Sequence, residues 1–332
     1  MATVEKAIRP RVKVTMTPIP TPAPNRRPGL LFFFGARPGL LRGARPGLFV
    51  WARPGLLLLT AVLTLQPQPA AQTRHRIISL VPAVTEMLFA MGAGAEVVGV
   101  SSYDNFPAEV ASRPKVGALV DPDFERILSL RPDLVVVYGS QDDLMSRLTR
   151  ARIGIFQYRH AGLADITSTL RELGTRVGHR DDANRVAASI EVDLRAIQAS
   201  VAGRARPRTV LVFGREPGTL RSLFATGGVG FLHDLVELSG AIDVFADVKR
   251  ESLQVSTEQL LARAPDIVLE LRASEGWDAV RLERERAVWR QLASVPAVRT
   301  DRIYILADSS LTIPGPRVAQ AARAIAAVLH PR

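Results

Sequence analysis

The 332-residue chain contains no cysteine. That excludes disulfides, thiolate metal sites, a cysteine nucleophile and a lipid-anchored cysteine at a mature N-terminus. It also lacks any uninterrupted apolar run of the roughly 18–20 residues that a bilayer-spanning helix requires. The five histidines, His75, His160, His179, His233 and His330, stand far apart with no H-x-x-x-H pair, so no protein-borne metal site is expected. His233 falls in an amphipathic helical pattern and reads as structural. Gly227-Gly228-Val229-Gly230 has neither the Lys-Ser/Thr of a P-loop nor a G-x-G-x-x-G frame after a strand. G-x-S-x-G is absent, and Ser309-Ser310 beside Asp308 has no nearby histidine base. No catalytic residue is assigned, and the expectation is a protein that is not an enzyme.

The formal charge of +11 invites a nucleic-acid reading, but its distribution argues against one. The first 72 residues hold ten Lys or Arg and a single acid, leaving 33 bases and 31 acids spread over the remainder. A backbone-tracking basic stripe cannot be built from so even a mixture, so no nucleic-acid partner is expected.

Within residues 1–72, prolines at 18, 20, 22 and 24 and Ala-Arg-Pro-Gly-Leu repeats from Ala36, Ala44 and Ala52 mark low complexity. Leu56–Leu65 then forms a ten-residue apolar core after Arg53, followed by a Pro-rich polar stretch ending in Ala70-Ala71. This is the plan of a secretory signal peptide, cut near Ala71 to release a soluble, exported protein. A start near Val50 would make Val50–Arg53 its basic leader, and an uncleaved extension is the competing reading.

From Arg76 the pattern alternates. Expected strands are Ile77–Val81, Val97–Val100, Leu134–Tyr138, Ile153–Tyr158, Thr209–Phe213, Ile267–Leu271 and Ile303–Leu306. Expected helices are Pro82–Met91, Phe124–Leu130, Asp142–Arg150, Leu163–Val177, Phe231–Leu238, Thr257–Ala262, Glu285–Leu292 and Arg317–Leu329. Asp181–Val201 reads as one long helix between two α/β halves. The expected fold is therefore α/β: lobes 73–180 and 204–332 with parallel-type sheets, joined by a single backbone helix at 181–203, with a ligand cleft between them. An internal echo supports two related halves. Glu125–Val137 and Glu258–Glu270 share Glu, Pro-Asp and the apolar pattern at a constant offset of 133. Generic helix-Pro-Asp-strand punctuation is the plainer explanation.

Specific motifs then accumulate: Arg76-Ile-Ile-Ser-Leu-Val-Pro-Ala-Val-Thr-Glu86, Gly99-Val-Ser-Ser-Tyr103, Pro114-Lys-Val-Gly117 and Arg131-Pro-Asp133. In the second half follow Gly228-Val-Gly-Phe-Leu232, Leu238-Ser-Gly-Ala241 and Val255-Ser-Thr-Glu-Gln-Leu-Leu261. Over roughly residues 74–330 the chain resembles the class III periplasmic substrate-binding proteins, the helical-backbone receptors of ABC importers for cobalamin, iron-siderophores and haem. The cobalamin-binding branch is the most similar, through Ser101–Tyr103 followed by Phe106-Pro107.

The resemblance implies a periplasmic monomer that hands a large metal chelate to permease subunits. Cobalamin or a related corrinoid comes first, and iron-siderophore or haem second. No cofactor is implied, because any metal arrives inside the ligand. Ligand contacts fall at Tyr103, Leu119, Tyr138, Phe213, Ser252 and Asp308. At Leu119 and Ser252 the branch carries tryptophan, so stacking area is lost there. Phe213 reads equally as core. Glu125 and Glu258, behind N-caps Asp123 and Ser256, are the implied transporter-docking pair; Glu near a helix start also favours the helix dipole, and Ser256-x-x-Gln259 is a capping box. A two-lobed α/β enzyme and a ligand-sensing module are the rival readings.

Overall fold

The computed structural model describes residues 75–331 except 160, 274 and 275. The expected signal peptide, repeats and cleavage site, like His160, lie outside the described residues. All described residues fall within one unit, Pro69–Arg332.

The first lobe is built on β1 (Ile77–Ser79), β2 (Val97–Val100), β3 (Leu134–Tyr138) and β4 (Gly154–Tyr158), paired in the order β2-β1-β3-β4 and all parallel. Its helices are α1 (Pro82–Ala90), α2 (Phe124–Ser129), α3 (Asp142–Arg150) and α4 (Leu163–Arg176). Alternate strand residues face opposite ways: Ile77, Leu134 and Val136 enter one core, Ile78, Val135 and Val137 another. Both sheet faces are therefore covered, the condition a parallel sheet needs.

Helix α5 (Arg180–Val201) follows, 22 residues long and about 33 Å from end to end. Ala183, Ala187, Ile190, Leu194, Ile197 and Val201 form its buried seam, and Asp181 and Asp182 sit in the first turn where the dipole favours them.

The second lobe comprises β5 (Arg208–Gly214), β6 (Leu223–Thr226), α6 (Phe231–Leu238), β7 (Ile242–Asp243), β8 (Ser252–Val255), α7 (Thr257–Arg263), β9 (Ile267–Arg272), α8 (Ala279–Val288), α9 (Pro296–Arg299), β10 (Ile303–Ala307) and α10 (Val318–Leu329). Strands β10, β9, β5 and β7 pair in parallel, whereas β6 and β8 extend the sheet antiparallel from β5. This mixed edge was not anticipated: β6 and β8 are four residues each and too short for period-two alternation to register. Helix α8 also begins ahead of the expected Glu285, because Asp278 caps it by accepting from the Arg281 backbone N–H at 2.7 Å.

The internal echo is structural. In each half a helix ends in a left-handed residue (Arg131, φ 47°; Ala264, φ 45°) before Pro-Asp and a central strand. Asp133 accepts from the Arg76 backbone N–H at 2.9 Å, and Asp266 from that of Arg208 at 3.0 Å. Each aspartate thus ties the start of its lobe's first strand to the joint. Gly227 and Gly228 also have a packing explanation. A Cβ at Gly228 would lie 2.0 Å from the Ala246 carbonyl, so the backbone approach there requires glycine.

Behind the second sheet lies a buried charge cluster. Arg215 donates to Glu270 at 3.2 Å and contacts Glu285 at 2.7 Å, Trp289 Nε1 donates to Glu270 at 2.8 Å, and Arg272 pairs with Glu270. Two arginines balance two glutamates, so removing one partner strands a buried charge. Glu270→Ala is expected to lower unfolding stability by about 3–5 kcal/mol, read from the urea midpoint. A change below about 1 kcal/mol, the ordinary scale for an exposed pair, would refute the network's role.

Candidate functional site

The two lobes meet with the carboxyl ends of their parallel strands turned toward a shared concavity, where open α/β sheets present their ligand-contacting loops. From the first lobe come Pro82 and Ala83 at the start of α1, Tyr103 and Asn105 after β2, Tyr138 ending β3 and Tyr158 ending β4. The second contributes Phe231, Ala273 after β9, and Ser309, Thr312, Ile313 and Pro314 after β10. The concavity encloses about 460 Å³. A second one of about 410 Å³ continues from it, sharing Asn105 and Ser309 and adding Phe106, Trp277, Asp308 and Arg317. The first is mostly aromatic and aliphatic, the second mostly polar.

Tyrosine dominates the first. The protein has four tyrosines, and three line this cleft. Tyr103 is 75% exposed, yet its backbone is held: its N–H donates to Ser101 Oγ at 3.1 Å, and the neighbouring Ser102 N–H donates to the Gly117 carbonyl at 2.7 Å. Tyr138 and Tyr158 pack edge to face, 6.0 Å between ring centroids. Burial raises both phenol pKa values, for Tyr138 reinforced by the negative charge of Asp104. The phenols therefore stay neutral, as apolar faces carrying one hydrogen-bonding tip.

The expected contact residues divide. Tyr103 and Tyr138 line the aromatic cleft, and Asp308 the polar annex. Asp308 Oδ1 accepts from the Ser310 backbone N–H at 2.7 Å and its hydroxyl at 2.6 Å, which orients the carboxyl. Phe213 packs against the main core, the core reading. Leu119 and Ser252 are exposed and not among the cleft-lining residues. Leu119 is nevertheless coupled to the site through buried Gln141, whose Nε2 donates to the Leu119 carbonyl while its Oε1 accepts from the Tyr138 N–H, both at 2.9 Å. Glu125 and Glu258 are exposed on the corresponding helices α2 and α7, behind N-caps Asp123 and Ser256 as expected. The Ser256 side chain and Glu258's own backbone N–H hold the Glu258 carboxyl below the usual range.

Sequence reasoning missed Tyr158, Phe231, Phe106, Trp277 and Arg317. Tyr158 ends a strand, as Tyr138 does, and that position was its available signal. Phe231 and Arg317 stand at the starts of α6 and α10 and Phe106 and Trp277 on connections, and no local pattern specifies that these four reach the cleft. Arg317 carries the most weight of these. Its Nε and Nη2 donate to the two carboxylate oxygens of Glu86 at 2.9 and 2.5 Å, joining the start of α10 to α1 across the lobes. Its guanidinium also lies 3.9 Å over the Phe106 ring. Behind the cleft, Asp234 on α6 accepts from the Leu163 N–H at 2.9 Å and so caps α4 of the opposite lobe.

Among the described residues no group of three His, Asp or Glu side chains is arranged to hold a metal ion. His75, His179 and His233 face Asp133, Glu96 and Asp243, and His330 faces the Ser239 carbonyl. No described helix is long and apolar enough to cross a membrane.

Two α/β lobes joined by a helix, with strand ends converging on an open aromatic cleft, define a two-lobed binding protein. The model of the periplasmic binding protein family matches residues 77–309, and the chain belongs to that family. It is 32% identical over 244 residues to the vitamin B12-binding protein of Salmonella typhimurium, covering 73% of this chain and 85% of that one. In fold it is similar to the periplasmic vitamin B12-binding protein BtuF of Vibrio cholerae, with TM-score 0.66, 24% identity and coverage of 77% and 96%. The periplasmic haem-binding protein HutB of Vibrio cholerae is similar too, with TM-score 0.67, 22% identity and coverage of 78% and 100%.

Asp104, between Tyr103 and Asn105, is 5% exposed, and neither carboxylate oxygen has a well-formed hydrogen bond among the described residues. Burial pushes its carboxyl up to about 6, with Thr85, the Ser101 backbone and Lys115 opposing and Glu86 reinforcing. The folded state therefore keeps a proton that the unfolded chain loses near its ordinary value of 3.8. The group favours folding fully below about pH 4, and that contribution is lost as the pH rises through about 6. Asp104→Asn is expected to stabilise the protein by about 1–3 kcal/mol at pH 7.5 and to have little effect at pH 4, in urea unfolding at both values. Equal effects at the two pH values would rule out the buried carboxylate as the cause.

Proposed function

We propose that this protein is the periplasmic substrate-binding component of an ABC importer, and that its cargo is cobalamin or a related corrinoid. The observation that carries this reading is the tyrosine-lined cleft at the converging strand ends, in a chain 32% identical to a vitamin B12-binding protein. A wide, flat, amide-fringed ligand suits a largely preformed aromatic cleft beside a polar annex. Tyr103 and Tyr138 would contact its ring, Asp308 its polar periphery, and Leu119 and Ser252 the lips, with less stacking area than tryptophan supplies. The division into lobes 73–180 and 204–332 about a helix at 181–203, signal-peptide cleavage near Ala71 and a monomeric state belong to the same reading. So does a binding role without catalysis, as in the substrate-binding family to which the chain belongs. Any metal enters inside the ligand.

Haem or an iron-siderophore is the second reading, favoured by the fold likeness to a haem-binding protein and by three phenols in one cleft. Isothermal titration with cyanocobalamin, haem and a ferric hydroxamate separates the two. Tight one-to-one binding of cyanocobalamin is expected. Binding of an iron chelate without cyanocobalamin would move the cargo and keep the role, and heat from none of them would overturn both readings.

Glu125 and Glu258, exposed on equivalent helices of the two lobes, are the proposed contacts to the permease subunits, where charge sets orientation and encounter. The double variant Glu125→Ala, Glu258→Ala is expected to keep ligand affinity within about threefold and to lose importer-dependent uptake, since rim charges act mainly on docking. Undiminished uptake in reconstituted vesicles would refute the docking role.

A further inference from the structure

The polar annex is walled by one aromatic residue from each lobe, Phe106 and Trp277. Trp277 lies between β9 and α8, and it is mounted on charge. The Arg281 guanidinium sits 4.0 Å from its ring centroid and that of Arg272 at 5.3 Å. Arg272 is itself immobilised, being paired to Glu270 within the buried cluster and donating to the Arg215 carbonyl at 3.4 Å. A half-buried indole held by one fixed cation and a second stacked cation is a rigid surface, and rigidity lowers the entropic cost of contact. Across the annex, Phe106 is pinned in the same manner by Arg317, which Glu86 anchors. The annex is thus lined by two aromatic rings, each contacted by an anchored arginine, together with Asp308.

We infer that Trp277 is a ligand-contacting, specificity-determining residue that packs its indole against the peripheral polar arms of a large planar chelate entering the annex. The inference rests on the binding role proposed above. It gives the second lobe a tryptophan surface that Ser252 does not supply, and it places the aromatic contact on the polar side of the cleft. Buried Trp289, by contrast, serves the charge cluster through its Nε1–H and is absent from the cleft lining.

The test uses the full chain with cyanocobalamin, haem and ferrichrome as probes. For whichever probe the wild type binds, Trp277→Ala should weaken the affinity by about tenfold or more, equivalent to about 1.4 kcal/mol. Trp277→Phe should recover most of that loss, and the urea midpoints of both variants should stay close to wild type. Fluorescence gives an independent readout. The emission assigned to Trp277, taken as wild type minus Trp277→Phe, should be open to acrylamide quenching in the free protein and shielded in the complex. If the wild type binds a probe while Trp277→Ala binds it equally well and the indole is not shielded, this inference fails and the binding role stands. If the wild type binds no probe, both fail.

Discussion

A single apolar core running through both lobes fixes the angle at which they meet, and most of the functional geometry depends on it. Strand residues of the first sheet, the seam of α5, Leu211 and Leu269 of the second sheet, and the inner face of α10 belong to one contiguous buried cluster. Opening the lobes wide would therefore expose packed surface, at about 25 cal/mol for each Å² of apolar area. Charge contacts reinforce the arrangement at two places. Glu86–Arg317 joins α1 to α10 at the cleft, and Asp234 caps α4 from α6 behind it. Burial pushes the Glu86 carboxyl upward while Arg317 pulls it down. Loss of the arginine would leave a nearly buried acid facing Asp308, so the pair has reason to stay closed.

That constraint explains the chemistry of the cleft. Side chains at strand ends on a rigid frame need little rearrangement to meet a ligand, which favours a preformed surface over enclosure. The aromatic part carries neutral phenols, with adaptable hydrogen-bonding tips on apolar faces. The annex carries a carboxylate, two clamped aromatic rings and an arginine already committed to Glu86. A broad ring with polar arms would meet a different environment at its centre and at its edge.

Much of the fold was legible along the chain. Strands β2 and β3 and helices α3 and α6 fall at their expected limits, because buried parallel strands are continuous apolar runs and their neighbouring helices are strongly amphipathic. The echo around Pro132-Asp133 and Pro265-Asp266 was visible as sequence and became a shared joint with matching left-handed residues and aspartate ties. The antiparallel edge made by β6 and β8 was not legible, since each strand is stabilised by its partner's ladder and not by a pattern of its own. The site divided along the same line. Tyr103 and Tyr138 could be named because they follow or end recognisable strands, and Asp308 through the family resemblance at the position after β10. Trp277 could not, because it lies on an irregular connection with no periodicity of its own, nor could Arg317, because its position comes from Glu86, distant in sequence.

The sequence by itself therefore determined the alternation of strands and helices, the long connecting helix, the exclusion of disulfide and thiolate chemistry, and the paired acidic helices at Glu125 and Glu258. These follow from local periodicity, composition and capping, which act over a few residues. Only the tertiary structure decided which strand ends share one cleft, that Phe213 joins the core while Tyr158 reaches the surface of the site, and that Glu86 meets Arg317 across 231 positions of chain. Those outcomes depend on how two sheets and a helix bury a common apolar surface, and that balance is reached only when the whole chain is packed.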